Sequence, residues 1–176
     1  EAIKAGKHVF LEKPIGVTPA ECRKLLRASQ KSDRILMIGH ELRYSPYFAK
    51  MKQLIDKGAV GVPQMAWCKE FRGPFQPKSR NWIQDRRKSG GCLVDKNCHH
   101  FDLMNWWLNS RPKRVSAFGS NAINRVISGP NQVHDHASAS WEYSNGAKGT
   151  LHLSLFAHEP PKETLEMGVV GLEGVL

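Results

Sequence analysis

No apolar run in this sequence approaches the roughly 18 to 20 residues that a membrane-spanning helix needs, and the first residues lack the charged, apolar and small-residue regions of an export signal. The first absence predicts a soluble chain without a membrane partner; the second says less, because Glu1 is not a start residue, so a cytoplasmic location is the expectation with an export signal upstream left open. Cysteine is scarce too: Cys22, Cys68, Cys92 and Cys98 form no CxxC pair and are too sparse for a disulfide framework. Reduced thiols in a reducing compartment are the expectation. Zinc-finger and HExxH spacings are missing, so no metal is expected, even though Cys98, His99, His100 and Asp102 crowd together. Internal repeats and low-complexity segments are also absent. Acidic residues are in the minority, 16 against 26 lysines and arginines, for a formal charge of +10 over 176 residues. That balance favours anionic partners such as phosphates, acidic sugars or nucleic acid, without choosing among them.

The apolar share, 40%, suits a folded core. Glu1 to Gly6 reads as the last turn of a helix stopped by glycine, so sequence is expected upstream of it. Lys7-His8-Val9-Phe10-Leu11 reads as a strand, ended at Glu12-Lys13-Pro14 because proline cannot continue a central ladder. Thr18-Pro19-Ala20-Glu21 combines an N-cap, a first-position proline and a capping-box glutamate, which predicts a helix of about 15 residues running to near Ser32. Ile35 to Gly39 is continuously apolar, as in a strand of a parallel sheet buried on both faces. Strand, helix and strand make a βαβ unit. Ser45-Pro46 opens another helix with an apolar stripe at Phe48, Met51, Leu54 and Ile55, closed by Gly58.

After Gly61 the pattern changes. A strand is expected from about Val62 to Arg72, a basic turn-rich stretch from Gly73 to Gly91, and a helix from about Asn97 to Asn109. Then the period turns to two. Ala137, Ala139, Trp141 and Tyr143 alternate with polar residues, Asn145-Gly146 predicts a two-residue hairpin turn, and Leu151, Leu153 and Leu155 alternate on the return. Arg114 to Ser120 and Met167 to Val170 read as further strands of the same antiparallel sheet, one face packed and one face wet. The predicted fold is therefore α/β plus α+β: the C-terminal part of a parallel α/β domain in residues 1–60, then an incomplete α+β domain in 61–176 with an open, mainly antiparallel sheet.

Two features carry chemistry. Asp95, His99 and Asp102 fall at i, i+4 and i+7, along one face of the expected helix. Asp95 is expected at the helix start, about 5 to 6 Å from His99, where it would hold or tune the imidazole. Histidine is the side chain best suited to take a hydroxyl proton near neutral pH, and Ser89-Gly90-Gly91 gives a glycine-rich approach. The structural reading of the same residues, with Asp95 a cap and His99 a core residue, stays open. Second, Lys13 at the carboxyl end of a parallel strand points toward the crevice where open α/β sheets bind ligands, its loop stiffened by Pro14. It would share in proton transfer or stabilise a developing alkoxide.

Ala5-Gly6-Lys7-His8-Val9 through Glu12-Lys13-Pro14 resembles the AGKHV…EKP signature of the glucose–fructose oxidoreductase and inositol dehydrogenase (Gfo/Idh/MocA) family. Arg43-Tyr44-Ser45-Pro46, Gly58-Ala59-Val60-Gly61 and Gly171-Leu172-Glu173-Gly174 resemble later family motifs in order. Ser89-Gly90-Gly91-Cys92-Leu93-Val94-Asp95, followed by His99 and Asp102, resembles its GGG-x-L-x-D-x-G-x-H-x-x-D motif. The resemblance implies a Rossmann dinucleotide-binding domain followed by an open-sheet α+β domain. It implies hydride exchange between NAD or NADP and a sugar, polyol or related carbonyl compound, an anionic one being in keeping with the charge. Lys13, Asp95 and His99 match the positions around the reacting hydroxyl, with His99 the proton acceptor. Glu12, Lys13 and Pro14 match the cofactor side, and Arg43 a position near nicotinamide and substrate. Lys13, Arg43, Trp82, Asp95 and His99 form the expected substrate set. A homo-oligomer through the open sheet is also implied.

Several positions depart from the family pattern. Cys92 and Asn97 stand where glycines are usual, Asn97 being a residue that tolerates left-handed backbone. Lys96 and His100 are expected to add charge and a second imidazole beside the site. The G-x-G-x-x-G finger and the acidic residue for the cofactor ribose are absent and are expected upstream of Glu1, with further sheet strands expected after Leu176. The chain by itself is thus expected to bind dinucleotide poorly and to be inactive. Two other functions compete: an NAD-dependent glycosidase on the same fold, and a non-catalytic anion- or nucleic-acid-binding protein using Lys78, Arg80, Arg86, Arg87 and Lys88 around Trp82. No nucleic-acid-binding motif accompanies that charge, so nucleic acid is not favoured.

Overall fold

The computed structural model describes residues 1–76, 78–124, 129–157 and 164–176. The chain starts with a parallel pair, β1 (Val9–Leu11) and β2 (Leu36–Ile38), joined through α1 (Pro19–Gln30). The capping box at Thr18 and Glu21 forms in full: each side chain bonds the other's backbone N–H. α1 ends short of Ser32, at a C-cap on Lys31. The expectation of strands buried on both faces does not hold, because Phe10 and Met37 are both exposed. With only two strands in this sheet, one face lacks a covering layer among the described residues.

Next come a 3-10 turn at Glu41–Tyr44 and α2 (Pro46–Asp56). β3 (Pro63–Phe71) leads to a 3-10 segment at Ser79–Gln84 and three helical pieces: α3 (Arg86–Ser89), α4 (Cys92–Asp95) and α5 (Cys98–Leu108). Four strands complete the fold, β4 (Pro112–Ser120), β5 (His136–Tyr143), β6 (Lys148–Ser154) and β7 (Thr164–Gly171). They join β3 in a five-stranded sheet of order β4-β5-β6-β3-β7, antiparallel except for β3 with β6.

The period-two pattern appears as predicted. Ala137, Ala139, Trp141 and Tyr143 on β5 and Leu151 and Leu153 on β6 are buried, while Ser138 and Ser140 face solvent. The hairpin turn is longer than its Asn-Gly pair suggests. Tyr143 N–H donates to the Ala147 carbonyl at 2.8 Å and Gly146 N–H to the Tyr143 carbonyl at 3.0 Å, which leaves three residues in the loop. Gly146 sits at φ 89°, the left-handed position such loops need.

The inner sheet face packs on α2 and α5. Phe48, Met51 and Ile55 of α2 and Leu103, Met104, Trp107 and Leu108 of α5 bury against Cys68, Leu151, Leu153 and Val169. Each such side chain contributes on the order of 2 kcal/mol through apolar area removed from water. α2 precedes residue 60 in the chain, yet its apolar stripe enters the core under the larger sheet. That shared core seats α5, which carries His99, against the segment that follows β2.

Candidate active site

Lys13 stands just past the carboxyl end of β1, before a cis peptide to Pro14. Its side chain is four-fifths buried, and its ammonium crosses to the second half of the chain, donating to the Asp95 backbone carbonyl at 2.7 Å with the Asp95 carboxylate 3.9 Å away. Glu12 is exposed and Pro14 half-buried at the mouth of a groove. Pro14, Gly16 and His40 line that groove from the βαβ side, and Leu93, Cys98 and Asp102 from the other.

Asp95 and His99 are both buried, but they do not share one helix. Asp95 is the last residue of α4, and α5 starts only at Cys98, behind an Asn97 cap whose side chain makes no capping bond. The Asp95 carboxylate therefore caps no helix. Its carbonyl serves Lys13 and also accepts a 3.5 Å contact from the Cys98 thiol. The charged neighbour of His99 is instead Glu41, whose carboxylate lies 3.5 Å from the imidazole Nδ1. The His40 ring stands edge-on to His99, with centroids 5.6 Å apart. Burial pushes the His99 pKa below its ordinary value, and Lys13, His40 and Lys96 push the same way against Glu41. The imidazole is neutral at pH 7 and able to accept a proton. His40 and Glu41, which line this site from the turn after β2, are residues that periodicity does not single out. Their position just past the carboxyl end of a parallel strand was the available signal.

Arg43 faces the third residue of the expected helical row. Its guanidinium grips Asp102 in a two-point pair, Nε to Oδ2 at 2.6 Å and Nη2 to Oδ1 at 2.7 Å. It also stacks over Trp106, 5.3 Å from the ring centroid. The pair raises the Arg43 pKa further and ties the 3-10 turn to α5 beside the groove.

Lys96 adds its charge near His99 as expected, but neither it nor His100 lines the groove. Both turn to Glu70 of β3, a fully buried carboxylate. Lys96 Nζ lies 3.2 Å from Oε1, Asn97 donates to Oε2 at 2.8 Å, and His100 Nδ1 is 3.5 Å from Oε2. Asn97 has φ −87°, so it replaces a glycine without using left-handed backbone, and its amide is spent on this network. Glu70 thereby fixes the two residues between Asp95 and Cys98. An isolated glutamate in an alternating strand gives no sequence signal for that role.

The approach loop keeps its glycines for a geometric reason: Gly90 has φ 75°, and a Cβ there would meet Val94 Cγ1 at 2.7 Å. Trp82 lies on the 3-10 segment Ser79–Gln84, more than a third exposed, and takes no part in the bonds of Lys13, Asp95 or His99. In the basic stretch, Arg87 and Lys88 are partly neutralised by Asp85, at 2.7 and 3.9 Å. The four cysteines are free thiols. Burial raises the pKa of Cys68 to about 12 and that of Cys92 and Cys98 to about 11, so these three stay in the thiol form near neutral pH. Among the described residues, no group of three or more His, Cys, Asp or Glu side chains is placed to hold a metal, and no helix is long and apolar enough to cross a membrane.

Comparison with known proteins bears on the family and the fold. Residues 1–40 match the model of an oxidoreductase family with an NAD-binding Rossmann fold, and residues 48–176 match the GFO/IDH/MocA C-terminal domain. The myo-inositol 2-dehydrogenase of Thermotoga maritima is 30% identical over 148 residues, covering 84% of this chain and 42% of that protein. An uncharacterized oxidoreductase of Bacillus subtilis, YrbE, is 30% identical over 151 residues, covering 86% and 42%. Among solved structures, a putative myo-inositol dehydrogenase from Sinorhizobium meliloti superposes with a TM-score of 0.84 at 27% identity, over 99% of this chain and 50% of that one. GenD2 from gentamicin A biosynthesis, in complex with NAD, gives 0.79 at 27% identity, over 99% and 48%. The chain spans less than half the length of these curated relatives. With both family models matched in order and the second alone covering most of its residues, the chain belongs to the GFO/IDH/MocA family of oxidoreductases.

Proposed function

We propose that this chain carries the substrate side of an NAD(P)-dependent oxidoreductase that exchanges a hydride with a CH–OH carbon of a sugar, polyol or related compound. The observation that carries the reading is the ammonium of Lys13 held 2.7 Å from the Asp95 carbonyl, at the carboxyl end of β1 and beside a buried His99 whose lowered pKa leaves it a base at pH 7. The residues present fit the nicotinamide end of such a cofactor. The loop after β1 and the turn after β2 open on one groove, where His40 keeps a buried Nδ1 without a hydrogen-bond partner. Glu12, Lys13 and Pro14 would hold it, with Arg43 acting through Asp102. NAD or NADP supplies the hydride acceptor when bound.

His99 takes the hydroxyl proton. Lys13 stabilises the negative charge that develops on the oxygen, and the Asp95 carbonyl keeps the ammonium aimed. Trp82 enters the reading as an aromatic on the substrate side, leading into the Gly90-Gly91 loop. The inositol dehydrogenases among the relatives make cyclitols the first substrates to try. We further propose that copies join through the outer sheet face, where Phe118, Met65 and Phe71 are exposed, and that the free thiols belong to a cytoplasmic protein.

The test is to incubate the intact protein with NAD⁺ or NADP⁺ and a panel of polyols and glycosides, following reduced nicotinamide and free sugar together. Net reduction with a polyol is expected. Sugar release without net reduction would replace the dehydrogenase reading with the glycosidase one.

A further inference from the structure

The partner of His99 raises a question of its own, because the acidic residue four positions before it is committed elsewhere. Asp95 gives its carbonyl to Lys13 and Cys98 and holds its carboxylate 3.9 Å from the Lys13 ammonium. His99 Nδ1 is buried and lacks a hydrogen-bond acceptor at bonding distance, an arrangement that costs free energy if that nitrogen carries the proton unpaired. The carboxylate of Glu41 stands 3.5 Å from it, on the turn that follows β2. A lone pair on Nδ1 would face that negative charge and be repelled, whereas an N–H there is attracted. We propose that Glu41 is a positioning residue for His99: its carboxylate, 3.5 Å from Nδ1, attracts an N–H there and so favours the tautomer in which Nε2 is the basic nitrogen.

This assignment gives the base its orientation from the βαβ side of the groove, not from its own helix. It deepens the proposed function and rests on it only for the role of His99 as base. The groups that face His99 are spread over several elements. Glu41 favours its protonated form, while Lys13 from the loop after β1, His40 from the end of β2 and Lys96 from the link between α4 and α5 oppose it. Glu41 is two-thirds exposed, so its effect on the charge of His99 is that of a solvent-facing carboxylate, whereas its effect on the tautomer depends on contact alone.

The experiment is long-range ¹H–¹⁵N NMR of the histidine rings in the intact protein, with the His99 signals assigned by their loss in His99→Gln. The wild type is expected to show Nδ1 protonated and Nε2 free. Glu41→Gln keeps an acceptor but not the charge, so the tautomer should persist while the titration midpoint of His99 falls by up to about one pH unit, the size expected of one water-screened charge at this distance. Glu41→Ala should lower the midpoint similarly and also mix the tautomers. A pH profile of kcat/KM should follow the midpoint, its acid limb moving down in both variants, an effect that mere loosening of the turn would not give. A wild-type tautomer with Nε2 protonated, or ring signals of His99 unchanged in Glu41→Ala, would overturn the proposal. Because the ring signals are read without substrate, a protein with the expected tautomer but no dehydrogenase activity sinks the functional reading and leaves the Glu41 pairing standing.

Discussion

Glu70 has no access to solvent, yet it is a formal negative charge under a sheet, and it is tolerated because Lys96, Arg72, Asn97 and His100 surround it. Removing one member of a buried ionic group costs more than the group contributes as a whole, since the remaining charges stay buried without compensation. Glu70→Ala is therefore expected to destabilise the fold by about 3 to 5 kcal/mol, read as a lower urea midpoint with an unchanged slope. A loss below about 1 kcal/mol, the size of a solvent-exposed pair, would mean that the network is open to water. Lys13, Asp95 and His99, the proposed catalytic set, stand out in the sequence because their residue types and spacing are uncommon and resemble a family motif. Glu41 and Glu70 do not, because each acts on residues far away in sequence, and a single glutamate beside a strand looks the same whether it is solvated or not. The same limit explains Lys96 and His100. Their charges are visible in the sequence, but the direction in which the backbone turns them is not.

The link between α4 and α5 shows what helical spacing leaves undecided. Residues at i, i+4 and i+7 share a face only if one helix runs through them, and here the chain breaks after Asp95. The break lets the Asp95 carbonyl point to Lys13 instead of entering a helix ladder. The β5–β6 hairpin was read more securely, because strand alternation depends only on which face is buried. Its loop length depended on a single left-handed residue, Gly146 at φ 89°. A side chain at that position meets its own backbone, so Gly146→Val is expected to cost at least about 1 to 2 kcal/mol, seen as a fall in the thermal midpoint with the sheet signal in circular dichroism retained. An unchanged midpoint would show that the turn relaxes to a shape without positive φ. The edge strand β4 is exposed along its whole length, so the alternation that marks β5 and β6 has no counterpart in its burial.

Across the whole molecule the net charge of +10 sets a background that weakens with salt, but acid sensitivity is more local. Burial alone would raise the Asp135 pKa. Bonds from the backbone of Ala122, Asn124 and Ile123 and from His136 outweigh it and hold the carboxyl at about 2. The folded value lies below the ordinary 3.8, so this contribution is fully present above pH 4 and is lost as pH falls through 2. Asp135→Asn should flatten the acid-unfolding curve between pH 4 and 2 relative to wild type, followed by tryptophan fluorescence. Identical curves would assign the acid transition to other carboxylates.

At this scale the sequence separates a short parallel unit, which carries Lys13, from a larger sheet with its helices, which carries Asp95 and His99. What joins them, the Arg43–Asp102 pair and the packing of α2 on α5, lies in side-chain contacts that one-dimensional spacing does not encode. The account turns on the claim that Lys13 and His99 act together on one hydroxyl in the groove between these parts. The measurement that tests it most directly is kcat/KM for the intact protein with its cofactor and the polyol it reduces nicotinamide with, in wild type, Lys13→Ala and His99→Ala. Both variants are expected to lose on the order of 10² to 10⁴ in rate while remaining folded. Activity undiminished in both would contradict the assignment.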